Sequence, residues 1–175
     1  MTWLRSLLAR LSGTAEVPAD FAGELAADEQ VLAAARADDG PLLATHLGLW
    51  LPEGRRVGWH LLTKATWNDD VLVLTEAAES GAAGEAVLLH DLAPRRFRLT
   101  AAGRLPEVVH ARITGSIRSS EHRDLPCGGA RFVQRKIPGR NGFALQVRPD
   151  PGTDEQALAP VAAEVAARLR APRRA

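Results

Sequence analysis

Residues 41–75 carry the pattern that most restricts the fold of this chain. The segment reads PLLATHLGLWLPEGRRVGWHLLTKATWNDDVLVLT, in which strand-forming residues dominate. Two breaks interrupt it, Pro-Glu-Gly at residues 52–54 and Asn-Asp-Asp at residues 68–70, and both are typical of tight turns. We therefore expect three antiparallel strands joined by two turns.

The second of these strands alternates two sets of side chains. One face would carry Val57, Trp59, Leu61, Thr63, Ala65 and Trp67, and the other Gly58, His60, Leu62, Lys64 and Thr66. Such alternation is typical of an antiparallel sheet with one drier and one wetter side. If Pro52 and Val57 close the first turn, Trp50 lies opposite Trp59, and this aromatic pair contributes about 0.5–1 kcal/mol beyond its burial.

Length and composition favour one globular domain that needs no disulfides. The chain has 175 residues, of which 46% are hydrophobic and 25% charged. Cys127 is the single cysteine, so neither an intrachain disulfide nor a cysteine-based metal site can form. No apolar run approaches the roughly 20 residues that span a bilayer, and the first residues lack the arrangement of a signal peptide. These features predict a cytoplasmic protein, with attachment to the inner face of the membrane as an option.

Charge is distributed unevenly along the chain. Residues 1–94 hold 6 Lys or Arg and 14 Asp or Glu, a balance of −8, whereas residues 95–149 hold 12 and 3, a balance of +9. Residues 150–175 hold 4 of each, so the net charge is +1. Either the two halves neutralise each other inside one fold, or the basic half faces an acidic partner.

The N-terminal segment predicts a short amphipathic helix over residues 2–12. Its apolar face holds Trp3, Leu4, Leu7, Leu8 and Leu11, and its polar face holds Arg5, Ser6, Arg10 and Ser12. Such a helix can lie in a membrane surface, dock on a partner, or cover an open end of its own domain. In the first two cases Trp3, Arg5, Leu7 and Arg10 are the contact residues.

Further strands flank the central stretch. Residues 31–37 are alanine-rich, which favours a helix, but the Asp-Asp-Gly at 38–40 is a hairpin turn, and we therefore expect a strand. Residues 79–85 predict a flexible loop, and residues 86–91 and 96–100 predict two more strands, the second with Phe97 and Leu99 on one face and Arg96 and Arg98 on the other.

The remaining segments predict two helices and one hairpin. Residues 106–117 begin with Pro and Glu and repeat Val109, Ile113 and Ile117 every four residues, which favours a helix. Residues 119–126 predict a loop, and residues 130–137 and 143–148 a hairpin around a Pro-Gly-Arg-Asn-Gly turn. The last helix, residues 154–170, would be capped by Thr153, interrupted at Pro160 and buried through the stripe Leu158, Val161, Val165 and Leu169.

About seven antiparallel strands followed by one helix resemble the order in bacterial pleckstrin-homology-like (PH-like and GRAM-like) domains. The residues that carry the likeness are ATHLGLWLPEGRRVGWHLLTKATWNDDVLVLT, residues 44–75, within a region of about 28–170. The resemblance implies a bent β-barrel or sandwich plugged at one end by residues 154–170. It also implies a non-catalytic scaffold that binds lipid headgroups, peptides or copies of itself. In lipid-binding members the loop before the second strand is basic, whereas here it is the acidic Asp38 and Asp39.

No set of residues predicts catalysis, a cofactor or a metal. His46, His60, His90, His110 and His122 are scattered and form no HExxH pair, and no phosphate-binding glycine motif occurs. Cys127 would need a base such as His122 and a positive environment to act as a nucleophile, and a loop thiol beside Gly128 and Gly129 is the simpler interpretation. We therefore expect no enzymatic activity.

The basic segment permits one more class of partner. The predicted hairpin carries Arg131, Arg135, Lys136, Arg140 and Arg148, with Phe132 and Phe143 among them. Arginines and aromatic rings together can hold the phosphates and bases of a single strand. Because the whole chain is barely basic, nucleic acid ranks below a membrane surface or a protein partner.

Taken together, the sequence predicts an α+β fold: a mostly antiparallel, PH-like bent β-barrel or sandwich with a C-terminal helix, an inserted helix and a short N-terminal amphipathic helix. Residues 1–27 form a lead-in, 28–170 a single domain and 171–175 a basic tail. The predicted function is binding or scaffolding at the membrane surface or on a protein partner, with a self-assembling structural protein as the alternative. Arg135, Lys136 and Arg140 would add electrostatic attraction to the N-terminal contact residues.

Overall fold

The structure, a computed structural model, describes residues 15–170. The predicted helix over residues 2–12 and the basic tail lie outside the described residues. The described part forms two compact units, and each takes two stretches of sequence. Unit 1 comprises residues 15–76 and 93–115, and unit 2 comprises residues 77–92 and 116–170.

Residues 15–170 contain eleven strands, two helices and one 3-10 turn. In chain order the elements are β1 (Val31–Ala37), β2 (Gly40–Thr45), β3 (Gly48–Trp50), β4 (Arg56–Gly58), the 3-10 turn Trp59–Leu61, β5 (Leu62–Asn68), β6 (Val71–Ala83), β7 (Ala86–Asp91), β8 (Arg95–Ala101), α1 (Leu105–Gly115), β9 (Ile117–Leu125), β10 (Gly128–Arg135), β11 (Ala144–Pro149) and α2 (Glu155–Arg170). The predicted sheet-rich α+β class with a C-terminal helix is confirmed.

Unit 1 is an antiparallel sheet in the order β4-β3-β2-β1-β8-β6-β5. The two-residue turn at Asp38 and Asp39 joins β1 to β2, and the turn at Asp69 and Asp70 joins β5 to β6. Both hairpins were predicted, since Asp tolerates the conformations that such turns need. β4 and β5 stand at the two ends of this order and do not pair with each other, so hydrogen bonds do not close the sheet.

The helix α1 covers the core of unit 1. Leu105, Val109 and Ile113 recur every four residues, so they share one face of the helix and are buried there. They join a cluster that includes Trp59 from the 3-10 turn and Phe97 from β8. The resemblance implied that residues 154–170 would plug the barrel, but α2 belongs to the core of unit 2.

The central stretch contains more breaks than predicted. Its first strand folds back at residues 46–47 into the β2–β3 hairpin, and the 3-10 turn separates β4 from β5. The first turn closes between Leu51 and Arg55, whose backbone N–H and C=O groups are 2.9 Å apart, so Trp50 pairs with Arg56. The predicted Trp50–Trp59 pair is therefore wrong.

Trp59 has a different set of partners. It lies in the 3-10 turn and donates its indole N–H to the carbonyl of Thr45 at 2.9 Å. Because a 3-10 turn does not keep the two-residue period of a strand, Leu62 is buried although the alternation placed it on the wetter face.

Unit 2 contains a mixed sheet in the order β6-β7-β11-β10-β9. Residues 77–83 of β6 belong to this unit, and β7 and β11 are parallel. The predicted hairpin of β10 and β11 is confirmed, and α2 packs on one face of this sheet. Leu158 of the predicted stripe is fully buried, and Val161 and Val165 pack partly buried against the core, but Leu169 is exposed, and Ala162 and Ala166 complete the buried face instead. Small alanines let the helix approach the sheet closely, and this contact selects the buried face.

Two predicted loops are strands. β6 runs through most of residues 79–85 and turns only at Gly84, whose φ is +58°. β9 occupies residues 117–125, pairs with β10 alone and is exposed along most of its length. Its sequence, IRSSEHRDL, is polar, and charged side chains protect an edge strand from further pairing. Because the segment lacks alternating apolar residues, the sequence pattern does not indicate a strand there.

The N-terminus of α2 also differs in detail from the prediction. Asp154, and not Thr153, accepts the backbone N–H groups of Gln156 and Ala157 through its Oδ1, at 3.0 and 3.2 Å. The hydroxyl of Thr153 instead donates to the carbonyl of Gly129. The helix continues through Pro160, since a proline in the second turn removes only one hydrogen bond near the start.

A buried carboxylate organises the start of unit 1. The side chain of Glu29 is fully buried; Thr45 Oγ1 and Trp50 Nε1 donate to its Oε1 at 2.6 and 2.9 Å, and Arg56 forms an ion pair with Oε2. Burial alone acts to raise the pKa of Glu29. The donors Thr45, Trp50 and the N–H of Ala26, with the charge of Arg56, outweigh it and hold the pKa below its ordinary value.

Replacement of Glu29 by Gln tests this network. We expect Glu29→Gln to lower the free energy of unfolding by about 2 kcal/mol at pH 7, since the donors lose a charged acceptor. A depressed folded pKa stabilises the protein above the unfolded pKa and ceases to do so as the pH falls through the folded value. The difference between variant and wild type, measured by denaturant unfolding, should therefore shrink from pH 6 to about pH 3. The exposed Glu24→Gln is the control, and an equal effect of both substitutions would contradict the network.

Candidate binding grooves

The structure separates the sequence-predicted contact residues. Trp3, Arg5, Leu7 and Arg10 lie outside the described residues. Lys136 and Arg140 are exposed in unit 2, whereas Arg135, the last residue of β10, is only 2% exposed. Two grooves, one in each unit, are the concave surfaces that best combine apolar and polar side chains, and only one of them contains a predicted contact residue.

Arg135 is part of the interior and not of a surface patch. Its Nε–H donates to Ser116 Oγ at 3.0 Å. Burial, with a smaller effect from the charge of Arg148, lowers the pKa of Arg135 to about 10, so the guanidinium remains charged at neutral pH. Arg131, Val133 and Arg135 fall on the same face of an alternating strand, so the sequence does not indicate which of the two arginines is buried. In the structure Arg131 is exposed and Arg135 is buried.

The burial of Arg135 leads to a stability prediction. Arg135→Ala should lower the free energy of unfolding by about 2–4 kcal/mol, since it removes packed side-chain atoms and leaves buried Ser116 without this donor. Lys136→Ala, which removes a neighbouring exposed charge, should stay within about 0.5 kcal/mol of wild type. Denaturant unfolding at pH 7 measures both, and equal small effects would show that Arg135 is not a packing residue.

The first groove, here called the edge groove, lies in unit 1 between β5 and the start of α1. Its volume is about 530 Å³. It is lined by Ala65, Thr66, Trp67, Leu72, Ala102, Gly103, Pro106, Glu107 and His110. The lining is mostly apolar, with Thr66, Glu107 and His110 as the polar side chains that can orient a ligand.

One wall of the edge groove is the strand β5, which stands at the end of the sheet of unit 1. Within the described part of the chain, the β5 residues that line the groove, Ala65–Trp67, pair with β6 and with no second strand, so their other edge is open to strand pairing. Trp67 is 40% exposed and lies opposite Leu72 in the hairpin. Asp69 and Asp70, both with positive φ, form the tight turn that fixes this register.

The opposite wall comes from the first turns of α1. His110 lies four residues after Pro106 and three after Glu107, so the three side chains share one side of the helix. The neighbouring helix positions Leu105 and Val109 are fully buried and anchor α1 to the sheet. A rigid helix thus forms one wall and an unpaired strand edge the other.

The second groove, here called the arginine groove, lies in unit 2 and has a volume of about 430 Å³. Its lining combines Arg118, Arg140 and Arg170 with Phe143, Leu145, Ala166 and Leu169, together with Glu85, Gln134, Ile137, Asn141, Gly142 and Ala144. The arginines come from β9, from the β10–β11 turn and from the last turn of α2.

Local irregularities position these arginines. Ile117 pairs with Arg135 and Ser119 with Gln134, so Arg118 is an extra residue on β9, a β-bulge that redirects its side chain. Its guanidinium lies 4.8 Å from the centroid of the Phe143 ring. Arg170 forms an ion pair with Glu85. Neither Arg118 nor Arg140 forms an ion pair with any carboxylate in residues 15–170.

A third, charged region of unit 2 surrounds Cys127 and His122. Cys127 sits in the turn between β9 and β10 and packs half-buried against the unit 2 core. The ring of His122 is bound to Asp150 at 2.7 Å. A Cβ at Gly129 would meet Asp150 Oδ2 at 2.1 Å, so this glycine makes room for the His122–Asp150 contact.

Comparisons with models of protein families, with curated proteins and with solved structures found no match to this chain. Among residues 15–170, no group of three or more His, Cys, Asp and Glu side chains is placed to hold a metal ion. No helix in the same range is long and apolar enough to cross a membrane.

Sequence reasoning found part of the arginine groove and none of the edge groove. Arg140 belongs to the predicted turn and Phe143 begins the predicted strand after it, and their basic and aromatic character was the signal. Arg118 was missed because its segment was taken for a helix end and loop, and Arg170 because it caps a helix elsewhere in the chain. The edge groove depends on which strand stands at the end of the sheet, which no local pattern reveals.

Proposed function

We propose that unit 1 is a PH-like protein-binding module that holds an extended segment of a partner protein in the edge groove. The observation that carries the proposal is that, within residues 15–170, Ala65–Trp67 of β5 pair with no strand other than β6 and line an apolar groove. An added strand can satisfy backbone groups along such an edge, while apolar pockets select its side chains.

The topology of unit 1 supports the PH-like part of the proposal. Seven strands in the order β4-β3-β2-β1-β8-β6-β5 are followed directly by the core-covering helix α1. This is the order of strands and helix that the resemblance implies, with α1 in place of the helix over residues 154–170. The resemblance then concerns unit 1, and unit 2 supplies separate surfaces.

Trp67 is the anchor that we expect to contribute most to binding. Aromatic side chains at the centre of an interface provide large contact areas at little cost in conformational entropy. Trp67 is already held by the β5–β6 hairpin and 40% exposed, so a bound segment can cover it without rearrangement. Glu107 and His110 on the helix wall favour a segment that presents donors on that side.

A protein partner is favoured over a lipid headgroup in unit 1. The turn between β1 and β2 carries Asp38 and Asp39, both exposed, which repel phosphate. The predicted membrane contacts of residues 2–12 lie outside the described residues and support neither partner. We propose a cytoplasmic location, where the unmodified thiol of Cys127 is stable.

A peptide selection tests the proposal. The full chain would be used to select binders from a display library of unstructured 12-residue peptides, and the selected peptides would be titrated by fluorescence anisotropy. We expect micromolar dissociation constants that weaken at least tenfold in Trp67→Ala and remain unchanged in the control Val17→Ala, an equally exposed apolar residue of unit 1. Amide hydrogen exchange in β5 should slow when the peptide is bound.

Other outcomes would contradict the edge groove. Peptides that bind wild type and Trp67→Ala equally would place binding elsewhere. A mass that rises with protein concentration and falls in Trp67→Ala would identify a second copy of the chain as the occupant. Binding to anionic vesicles that does not depend on Trp67 would instead indicate that the protein acts at a membrane surface.

A further inference from the structure

We infer that the arginine groove of unit 2 binds single-stranded nucleic acid. The inference is independent of the edge groove, which lies in unit 1. It rests on the charge, the exposed apolar side chains and the concave shape of one surface. The three observations point to a ligand that carries both phosphates and unpaired bases.

The charge of the groove is strongly one-sided. Arg118, Arg140 and Arg170 face a single carboxylate, Glu85, which is engaged by Arg170. Arg118 and Arg140 form no ion pair within residues 15–170, so both remain available to phosphates. The C-terminal end of α2 contributes only about −0.5 charge, so the groove keeps a net positive charge of more than one. Guanidinium groups match phosphate oxygens well because they donate two parallel hydrogen bonds.

The apolar side chains of the groove are unusually open to water. Leu169 and Phe143 are 50% and 49% exposed, the highest values among the large hydrophobic residues of the described chain. The guanidinium of Arg118 lies over the Phe143 ring, 4.8 Å from its centroid, so a base would stack on the ring face that this guanidinium leaves uncovered. A ring that adjoins an arginine forms a platform on which bases stack, irrespective of sequence.

Shape separates a nucleic acid strand from a membrane and from a duplex. The groove is a concave space of about 430 Å³ with Leu145 and Ala166 at its buried floor. A bilayer surface cannot enter such a concavity, whereas a splayed base can. In a duplex the faces of the bases are stacked on one another. Its phosphates could bind the arginines, but no base face is free to stack on Phe143. We therefore assign the groove to single strands.

Fluorescence anisotropy with a labelled 12-residue oligothymidylate tests this assignment in 25–200 mM NaCl. We expect saturable micromolar binding at 25 mM NaCl. Arg118→Ala and Arg140→Ala should each weaken it about fivefold or more and reduce the slope of log K against log salt by about 0.7. Phe143→Ala should weaken it about fivefold or more without changing that slope. All three side chains are exposed, and unchanged thermal unfolding would verify that each variant folds.

Matched controls make the result specific. Arg112→Ala removes an exposed arginine of α1 in unit 1, and Leu92→Ala an exposed apolar residue outside the groove; both should bind as wild type does. Trp67→Ala should also leave oligothymidylate binding unchanged, which separates this result from the outcome for the edge groove.

Four results would overturn the assignment. The first is the absence of saturable oligothymidylate binding at 25 mM NaCl, and the second is an equal loss of binding in Arg112→Ala and Arg140→Ala. The third is binding of a 12-base-pair duplex as tightly as of oligothymidylate. The fourth is binding to vesicles of phosphatidylcholine and phosphatidylglycerol (7:3) that depends on Phe143, while oligothymidylate does not bind. The last result would assign the groove to an anionic membrane.

Discussion

The carboxylate of Glu29 is buried at the point where β2, β3 and β4 converge, and the first half of unit 1 depends on it. Moving a charge out of water costs several kcal/mol even after relaxation, so the position is tolerated only when every donor is in place. Thr45 on β2, Trp50 on β3 and Arg56 on β4 supply those donors. A shift in the register of any of these strands would leave the charge unpaired, and the network thereby specifies one arrangement.

The same network determines where the later elements lie. It holds β4 in register with β3, and β4 leads through the 3-10 turn to β5. Among the described strands β6 is the only one that pairs with β5, which leaves an edge of Ala65–Trp67 open to pairing in the groove beside α1. The edge groove is thus a consequence of the strand order.

Local patterns predicted several elements well, and the failures have physical causes. The hairpins at Asp38–Asp39 and Asp69–Asp70, the helix α1 and the β10–β11 hairpin were predicted because turn chemistry and helical spacing act within a few residues. β9 was missed because an exposed edge strand is polar on both faces. The Trp50–Trp59 pair was wrong because one backbone contact, between Leu51 and Arg55, changed the register of the turn.

Ile117, the third residue of the repeat predicted for α1, lies in β9 and is exposed. The sequence by itself determined the class of the fold, the burial of Val109 and Ile113 on α1 and the basic, aromatic character of the β10–β11 turn. These properties depend on neighbours in the chain, whose spacing is fixed by covalent geometry. Tertiary structure alone decided that Arg135 is buried while Arg140 is exposed, that Arg118, Arg140 and Arg170 line one groove, and that β5 stands at an edge. Each of these depends on hydrogen bonds and packing between residues far apart in sequence, and no local pattern encodes which distant partner a strand or helix will meet.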